Sequence, residues 1–590
     1  MAKRKIKSQP EARRPKGLGD GQRTEANEGK KLVSHQVGPI PIINRMLDRM
    51  KLQDFLKQHL PSDDKRTKVD TARVVLLLIR NILVSREPIY GVTEWARNYG
   101  PDLFDLWPEE LDHLNDDRVG RCLDRVFRTL DSNLIMDVVT HVVQEFDLNL
   151  DELHNDSTTV TLTGKYADAP TNVAGLDVPA ITWGHNKDHR PDLKQLLYIL
   201  TVSNDGGVPI YFQAASGNTA DDQTHQTTWK LMAQLVQRPD FIYVADCKLA
   251  STANMNEIAR LGGRFITVLP ANRKENTQFR KRLRETPHSI EWQEVYRITD
   301  EDGTVRDIFR TVKQEQVSKE DYRLLWFHSR GKAESDLQTR TRQLQRADCE
   351  LTELRKRMEG PRTRLRSKTK IQAAVDEILK ARGIETFLQV QVEETEVESF
   401  RQTKRGRPSA NTKYTRHVEK RFQLKWQIDN EQMEVARAAD GVFPLISNVR
   451  DWNAEQILKA YKRQPIIEKR FSQLKTDFRV APVYLKSSHR IVGLLAVYFF
   501  ALMVQALIER ELRNAMATHG TESLPLYPEG RPCRRPTTRQ VFDVFEPLQR
   551  HTLFTTTSDD FTTFATELSP IHSSILKLLR IPLETYRDQS

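Results

Sequence analysis

Residues 193–217 read LKQLLYILTVSNDGGVPIYFQAASG. Two runs of apolar and β-branched residues flank Asp205-Gly206-Gly207. That is a hairpin signal, because adjacent glycines supply positive φ at no steric cost. The neighbouring segments set the fold class. Upstream, LNLDELHNDSTTVTLTG (148–164) predicts a strand after a short acidic stretch. Downstream, 221–237 predicts a helix, FIYVADCKLAS (241–251) a short apolar strand ending in an acid, and 258–270 a helix, turn and strand. Strand, hairpin, helix, strand, helix, strand is an α/β order.

Moving outward, residues 271–440 break that rhythm. TFLQVQVEETEVESF (386–400) predicts strands, and the heavily charged 334–360 predicts a long exposed helix. From Glu353 to Lys370 there are eight basic residues and two acids. The α/β texture returns with a strand at GVFPLISNV (441–449) and a helix at AEQILKAYKRQPIIEKRFSQLK (454–475). One α/β domain interrupted by a large α+β insertion accounts for this. Before it, IPIINRMLDRMKLQDFLKQHL (40–60) and TARVVLLLIRNILVS (71–85) repeat apolar residues at helical spacing, and Asn115 or Asp116 is placed to cap another helix. The expected organisation is a flexible basic tail over 1–34, a helical domain over 35–150, the core over 151–270 and 441–515, the insertion over 271–440, and a helical region over 516–590.

Composition narrows the class. The 590 residues are 38% hydrophobic, which excludes a wholly disordered chain. Lys and Arg outnumber Asp and Glu by 91 to 80, net +11, favouring a polyanionic partner. Residues 1–31 hold ten bases and four acids, over half of that surplus, so any further nucleic-acid surface is a local patch. Four scattered cysteines without a CxxC pair exclude a disulfide framework or zinc ribbon and fit a reducing cytosol. The basic N-terminus has no apolar stretch behind it, so it does not read as a secretory signal. Ile491–Ile508 approaches membrane-spanning length, but Gln505 and the charged ERELR continuation predict a buried helix and no membrane partner. A cytoplasmic protein is expected.

Isolated acids end or punctuate the core strands: Asp156 within LHNDSTTVTL and Asp246 at the end of YVAD. Each alone fits a turn or cap. A third, Glu468, shares one predicted helical face with Tyr461, Gln464 and Lys475, all within about 60° of one another. Carboxylates from two strands and a later helix suit two-metal phosphoryl transfer, since magnesium prefers oxygen ligands. Without cations, clustered carboxylates raise one another's pKa.

With Tyr461, Glu468 and Lys475 at that spacing, the chain resembles the DDE transposases of bacterial insertion sequences. It is most similar to the branch marked by Tyr-x2-Arg-x3-Glu-x6-Lys and an insertion before the Glu. GHNKDHRPDLKQ (184–195), GNTADDQTH (217–225) and VADCKLAS (244–251) also look like segments of that family. Gln464 stands where the signature has Arg, with Arg463 adjacent. The resemblance implies a ribonuclease-H-like mixed sheet with flanking helices, preceded by a helical DNA-binding domain. Asp156, Asp246 and Glu468 would be the catalytic, metal-binding triad for two Mg2+ or Mn2+ ions. Tyr461, Arg463, Gln464 and Lys475 would hold DNA. His185, Lys187, His189, Arg190 and Asp192, clustered just before a strand, either contact DNA or support the site, or form a hydrogen-bonded loop, and His225 has the same two readings. The implied partners are terminal inverted repeats and target DNA, in a homodimer or larger synaptic complex near the bacterial nucleoid. A stand-alone metal-dependent nuclease and a catalytically decayed DNA-binding regulator remain as alternatives.

Three further features stand apart. Arg405-Gly406-Arg407-Pro408 is the core of an AT-hook-like minor-groove reader, or simply a charged loop. Trp326 and Trp426 are candidates for stacking on an unpaired base, or for the core. Cys247, beside Asp246, reads as a packed residue and not a nucleophile.

Overall fold

The computed structural model describes residues 30–586 apart from 131, 167–169, 301, 361–362, 481–484 and 556–560. Described residues up to Cys122 form one compact unit with those from Leu507 onward, and Leu123–Ala506 form the other.

The second unit is built on a ten-stranded sheet. Its strands are β1 (Glu152–Leu162), β2 (Lys194–Ser203), β3 (Pro209–Ser216), β4 (Ile242–Ala245), β5 (Arg264–Val268), β6 (Trp292–Thr299), β7 (Val305–Val312), β8 (Gln316–Val317) and β9 (Arg323–Ser329). After a hairpin of β10 (Leu388–Gln402) and β11 (Tyr414–Ile428), which forms its own sheet, β12 (Val442–Ser447) completes the large one. Across the sheet the order is β3-β2-β1-β4-β5-β12-β9-β7-β6, with β8 on β9. β1, β4 and β5 are parallel, and the hairpin β2–β3 runs antiparallel beside β1. This is the ribonuclease-H-like mixed sheet, with helices α1 (His225–Val236) and α2 (Thr252–Arg260) in the crossovers. The central strands are nearly continuous runs of buried residues, as parallel strands covered on both faces require.

The predicted hairpin turns at Gly206 (φ +76°) and Gly207 (φ +63°), and Ser203 N–H donates to the Val208 carbonyl at 2.9 Å. Two boundaries differ from the sequence reading. Residues 292–329, grouped there with the insertion, extend the core sheet through β12. Their alternation of charged and apolar residues is that of half-exposed strands near a sheet edge, and texture alone does not separate this from an inserted module. What leaves the sheet is α3 (Arg330–Glu359), α4 (Lys368–Arg382) and the β10–β11 hairpin, around a small core of Leu344, Leu351, Val375, Leu388 and Leu424. Trp326 belongs to the main core, stacked on Phe279 with centroids 3.8 Å apart. Trp426 lies at the root of the hairpin under the Arg355 guanidinium, its indole N–H donating to Asp348. Neither is presented for base stacking.

In the first unit, Asp70 caps the helix Thr71–Val84, and Asn115 accepts from Arg118 N–H at the start of Asp116–Arg128. The C-terminal region, expected to be helical, also supplies strands Gln549–Thr555 and Phe561–Ala565. The first of these pairs with Lys30–Gln36. Residues 30–34, assigned to the tail, are therefore strand, while the expected flexible tail over residues 1–29 lies outside the described residues. The apolar run falls in helix Ser488–Thr518, whose most apolar window is 94% buried: a core helix, as read.

Candidate active site

The site begins with register. Asn155 pairs with Ala245 across the parallel β1–β4 ladder, so Asp156 on β1 and Asp246 just past the end of β4 are the next residues along two adjacent chains. Such strands lie about 4.8 Å apart. Asp246 is the first residue beyond β4, where its Oδ1 accepts from Lys248 N–H (2.9 Å) and its carbonyl from Thr267 Oγ1 (2.5 Å).

Glu152, His154 and Asp156 alternate onto one face of β1. The chain that carries Glu468 is fastened to that face. His154 Nδ1 lies 3.1 Å from Gln464 Oε1, and His154 Nε2 lies 2.8 Å from Glu152 Oε1. Arg463 closes a two-pronged ion pair on Glu152, whose side chain is 5% exposed. Burial works against the Glu152 carboxylate, but the hydrogen bonds from His154 and Arg463 hold its pKa below the usual range. Arg463 and Gln464, both expected to hold DNA, thus engage Glu152 and His154 within the protein.

The single helix predicted over 454–475 is two: α5 (Ala454–Lys462) and α6 (Pro465–Ser472). Pro465 explains the break, because it has no N–H to continue α5 yet suits the first turn of α6. A π-turn, Gln473–Asp477, follows and carries Lys475. Tyr461 and Glu468 thus sit on different helices. Arg470, buried on α6, donates to the Gly206 and Gly207 carbonyls at 2.7 and 2.8 Å. Ile466 packs so tightly on this turn that a Cβ at Gly207 would stand 2.7 Å from its Cγ1. The hairpin that marks the fold also seats the helix bearing the third acid.

Electrostatics link the acids in sequence. Burial pushes the Asp156 carboxyl up to about 6; Lys187 and the Ser157 N–H oppose the rise, and Asp246 adds to it. Burial pushes the Tyr461 phenol up to about 12, reinforced by Asp246, Cys247 and Glu468. Asp246 is therefore within electrostatic reach of both Asp156 and Tyr461, and Glu468 of Tyr461. Among the described residues, no three His, Cys, Asp or Glu side chains are gathered closely enough to hold a metal ion. The acids themselves offer the oxygen ligands that a hard divalent cation takes, and the half-buried Asp156 carboxylate is only partly offset by Lys187. Burial and Asp246 raise the Cys247 thiol, which keeps it protonated and unsuited to nucleophilic attack.

In the loop 184–192, one of the clustered candidates reaches the acids directly. Lys187 Nζ reaches Asp156 Oδ1 (3.4 Å), the Ser157 carbonyl (2.6 Å) and Ser157 Oγ (2.9 Å). Asp188 meets Lys475 Nζ at 2.6 Å. By contrast, His185 and His189 are exposed, and Asp192 pairs with Arg190 at the surface. His225 is buried against Tyr243 on β4, with Nδ1 3.2 Å from the phenol. Asp188, Glu152 and His154 escaped the sequence reading. The i, i+2, i+4 spacing of Glu152, His154 and Asp156 was the available signal for two of them. Arg405 and Arg407 lie far along the chain from these residues, in the exposed loop between β10 and β11.

The family described as "Transposase DDE domain" matches residues 151–504, and one described as "Domain of unknown function (DUF4277)" matches 32–140. No curated protein matches the chain. Among solved structures, the cryo-EM structure of a piggyBac transposase synaptic complex with hairpin DNA is 11% identical, covers 48% of this chain and 60% of that one, and has a TM-score of 0.24. The crystal structure of the Mos1 mariner paired end complex with Mn is 12% identical, covers 38% and 65%, and has a TM-score of 0.13. The matched regions span less than two thirds of either of those chains.

Proposed function

This chain belongs to the transposase DDE domain family, and from that premise we propose that it hydrolyses DNA strands at the ends of an insertion sequence and joins the freed 3′-hydroxyls to target DNA. The observation that carries the reading is the placement of Asp156 on β1 beside Asp246 at the end of β4, with Glu468 on a helix anchored to the same face of β1.

Asp156, Asp246 and Glu468 would hold the divalent ions, Mg2+ or Mn2+. Bound there, the ions would supply polarisation of the attacking oxygen and charge stabilisation of the leaving one. In the first step a water oxygen bonds to phosphorus and the P–O3′ bond breaks, leaving a 3′-hydroxyl and a 5′-phosphate. In the second, that 3′-hydroxyl attacks a target phosphorus in line and displaces the target's 3′-oxygen, which takes up a proton. Both steps are displacements at phosphorus, so one site serves them in turn.

The remaining residues orient DNA. Lys475, on the π-turn beside Asp188, is a point charge for a backbone phosphate. Tyr461 stays protonated at neutral pH and can donate its phenolic hydrogen. Arg463 and Gln464 act indirectly by fixing α6 on β1. The helical residues 35–150 would bind the terminal inverted repeats, with two or more chains holding paired ends.

The test is a strand-transfer assay on duplexes carrying the element's ends. Asp156→Asn, Asp246→Asn and Glu468→Gln should each abolish cleavage while leaving end binding largely intact. Full cleavage by one of these variants in magnesium would remove that residue from the triad. Cleavage without joining would favour the nuclease reading, and binding without cleavage the decayed regulator.

A further inference from the structure

The hairpin β10–β11 pairs fifteen residues of each strand, from Leu388↔Ile428 to Gln402↔Tyr414, a ladder about 50 Å long. Only its root is buried, by Leu388, Val392 and Leu424. From Glu394 outward β10 is exposed until Gln402, and β11 is exposed from Tyr414 to Arg421. A solvated two-stranded ladder is marginal by itself. Cross-strand pairs brace this one: Glu393–Lys425, Glu394–Lys420 and Glu398–Arg416. The shaft is therefore close to self-neutral, and the tip is not. Residues 400–414 carry five basic side chains and no acid.

We propose that this arm is a minor-groove reader whose tip, Arg405-Gly406-Arg407, enters the narrow groove of A·T-rich duplex DNA. Three observations bear on it. The loop is closed by Thr403 N–H on the Lys413 carbonyl (2.9 Å) and by a turn at Ser409–Thr412 (3.0 Å), which leaves 404–408 as an exposed span. Pro408 biases Arg407 toward extended backbone, the form that lays two Arg side chains along a groove. Gly406 lies outside the left-handed region, and a Cβ added there meets nothing within 4 Å. The fold itself has no use for that glycine; a backbone pressed against a groove floor does. Phe400 and Tyr414, 62% and 51% exposed, flank the tip and are placed to lie against the sugar edges.

The inference rests on the reading that this protein acts on duplex DNA, and its test separates the two. Binding of the full chain to short labelled A·T-rich and G·C-rich duplexes is measured by fluorescence anisotropy in EDTA, where no cleavage intervenes. Wild type should prefer the A·T-rich duplex. Gly406→Val should unfold at the wild-type temperature yet bind that duplex about tenfold more weakly, as should Arg405→Ala/Arg407→Ala. G·C-rich binding should change little. Equal wild-type affinity for both duplexes overturns the proposal, as does full A·T binding by Gly406→Val. Loss on both duplexes in the double Arg variant alone marks plain phosphate contact and also overturns it. Strand joining in magnesium, measured on the same preparations, reports on the transposase reading independently.

Discussion

Lys187 Nζ sits 3.4 Å from Asp156 Oδ1 and 2.6 Å from the Ser157 carbonyl, placing an ammonium against a carboxylate assigned to the metal site. Lys187 thereby offsets part of the charge that a divalent ion would neutralise, and the two positive groups oppose each other there. Lys187→Met should tighten Mn2+ binding to the DNA-free protein by roughly three- to tenfold, about 1 kcal/mol of relieved repulsion at surface dielectric. Isothermal calorimetry reads it. Unchanged or weaker binding would mean the ammonium leaves the carboxylate before the ion arrives.

The raised Asp156 pKa makes a stability prediction with a definite sign. A carboxyl at about 6 in the folded chain and near 3.8 when unfolded binds its proton more tightly in the folded state. Its favourable contribution is complete below pH 3.8 and is lost as pH rises through 6. Above that, the buried charge costs up to about 3 kcal/mol. Asp156→Asn should therefore raise the melting temperature in EDTA at pH 7.5, with the gain fading toward pH 4. Mn2+ should stabilise wild type and not the variant.

Arg463 distinguishes a phosphate contact from an internal clamp. Its side chain is 38% exposed, but its partner Glu152 is buried, so removing it strands a carboxylate beside His154. Arg463→Ala should cost about 2–3 kcal/mol in urea unfolding, below the full buried-pair range because of that exposure. It should leave the salt slope of DNA binding unchanged, whereas a phosphate-contacting arginine would shift the slope by about one.

Lys475 is the opposite case. Its pairing with Asp188 is solvent-accessible, with side chains 28% and 32% exposed, and can be exchanged for a phosphate. Lys475→Ala should weaken binding across sequences and make the slope of log K against log salt shallower by up to one. Stability should move by less than about 1 kcal/mol. An unaltered slope would take Lys475 out of the interface.

These contrasts trace what the residues disclose before folding. The Asp205-Gly206-Gly207 turn and the apolar runs around it are local, so the α/β order could be read directly. The single helix over 454–475 was misread because a 100° periodicity runs smoothly through Pro465, although that residue's missing N–H divides the helix. Arg463 is a candidate for DNA because it neighbours Gln464, where the signature has Arg. Its partner within the fold, Glu152, lies 311 positions away, and only the docking of α6 on β1 brings the two together. Asp188 was invisible for the same reason, since its role depends on Lys475, 287 positions on.

Gly207 couples that docking to the chemistry. It holds φ +63°, its carbonyl accepts from Arg470, and an added Cβ would fall 2.7 Å from Ile466 Cγ1. Gly207→Ala therefore meets backbone strain and a steric clash together, for about 1–3 kcal/mol. The clash is with the residue two positions before Glu468, so the displaced helix should carry the third carboxylate with it. Cleavage at saturating DNA should fall more than end binding does. Ile466→Ala removes the clashing atom and leaves the strained φ. In the double variant, cleavage should recover substantially while stability recovers only in part. Full stability with persistent loss of cleavage would show that Gly207 serves the active site by some route other than the seating of α6.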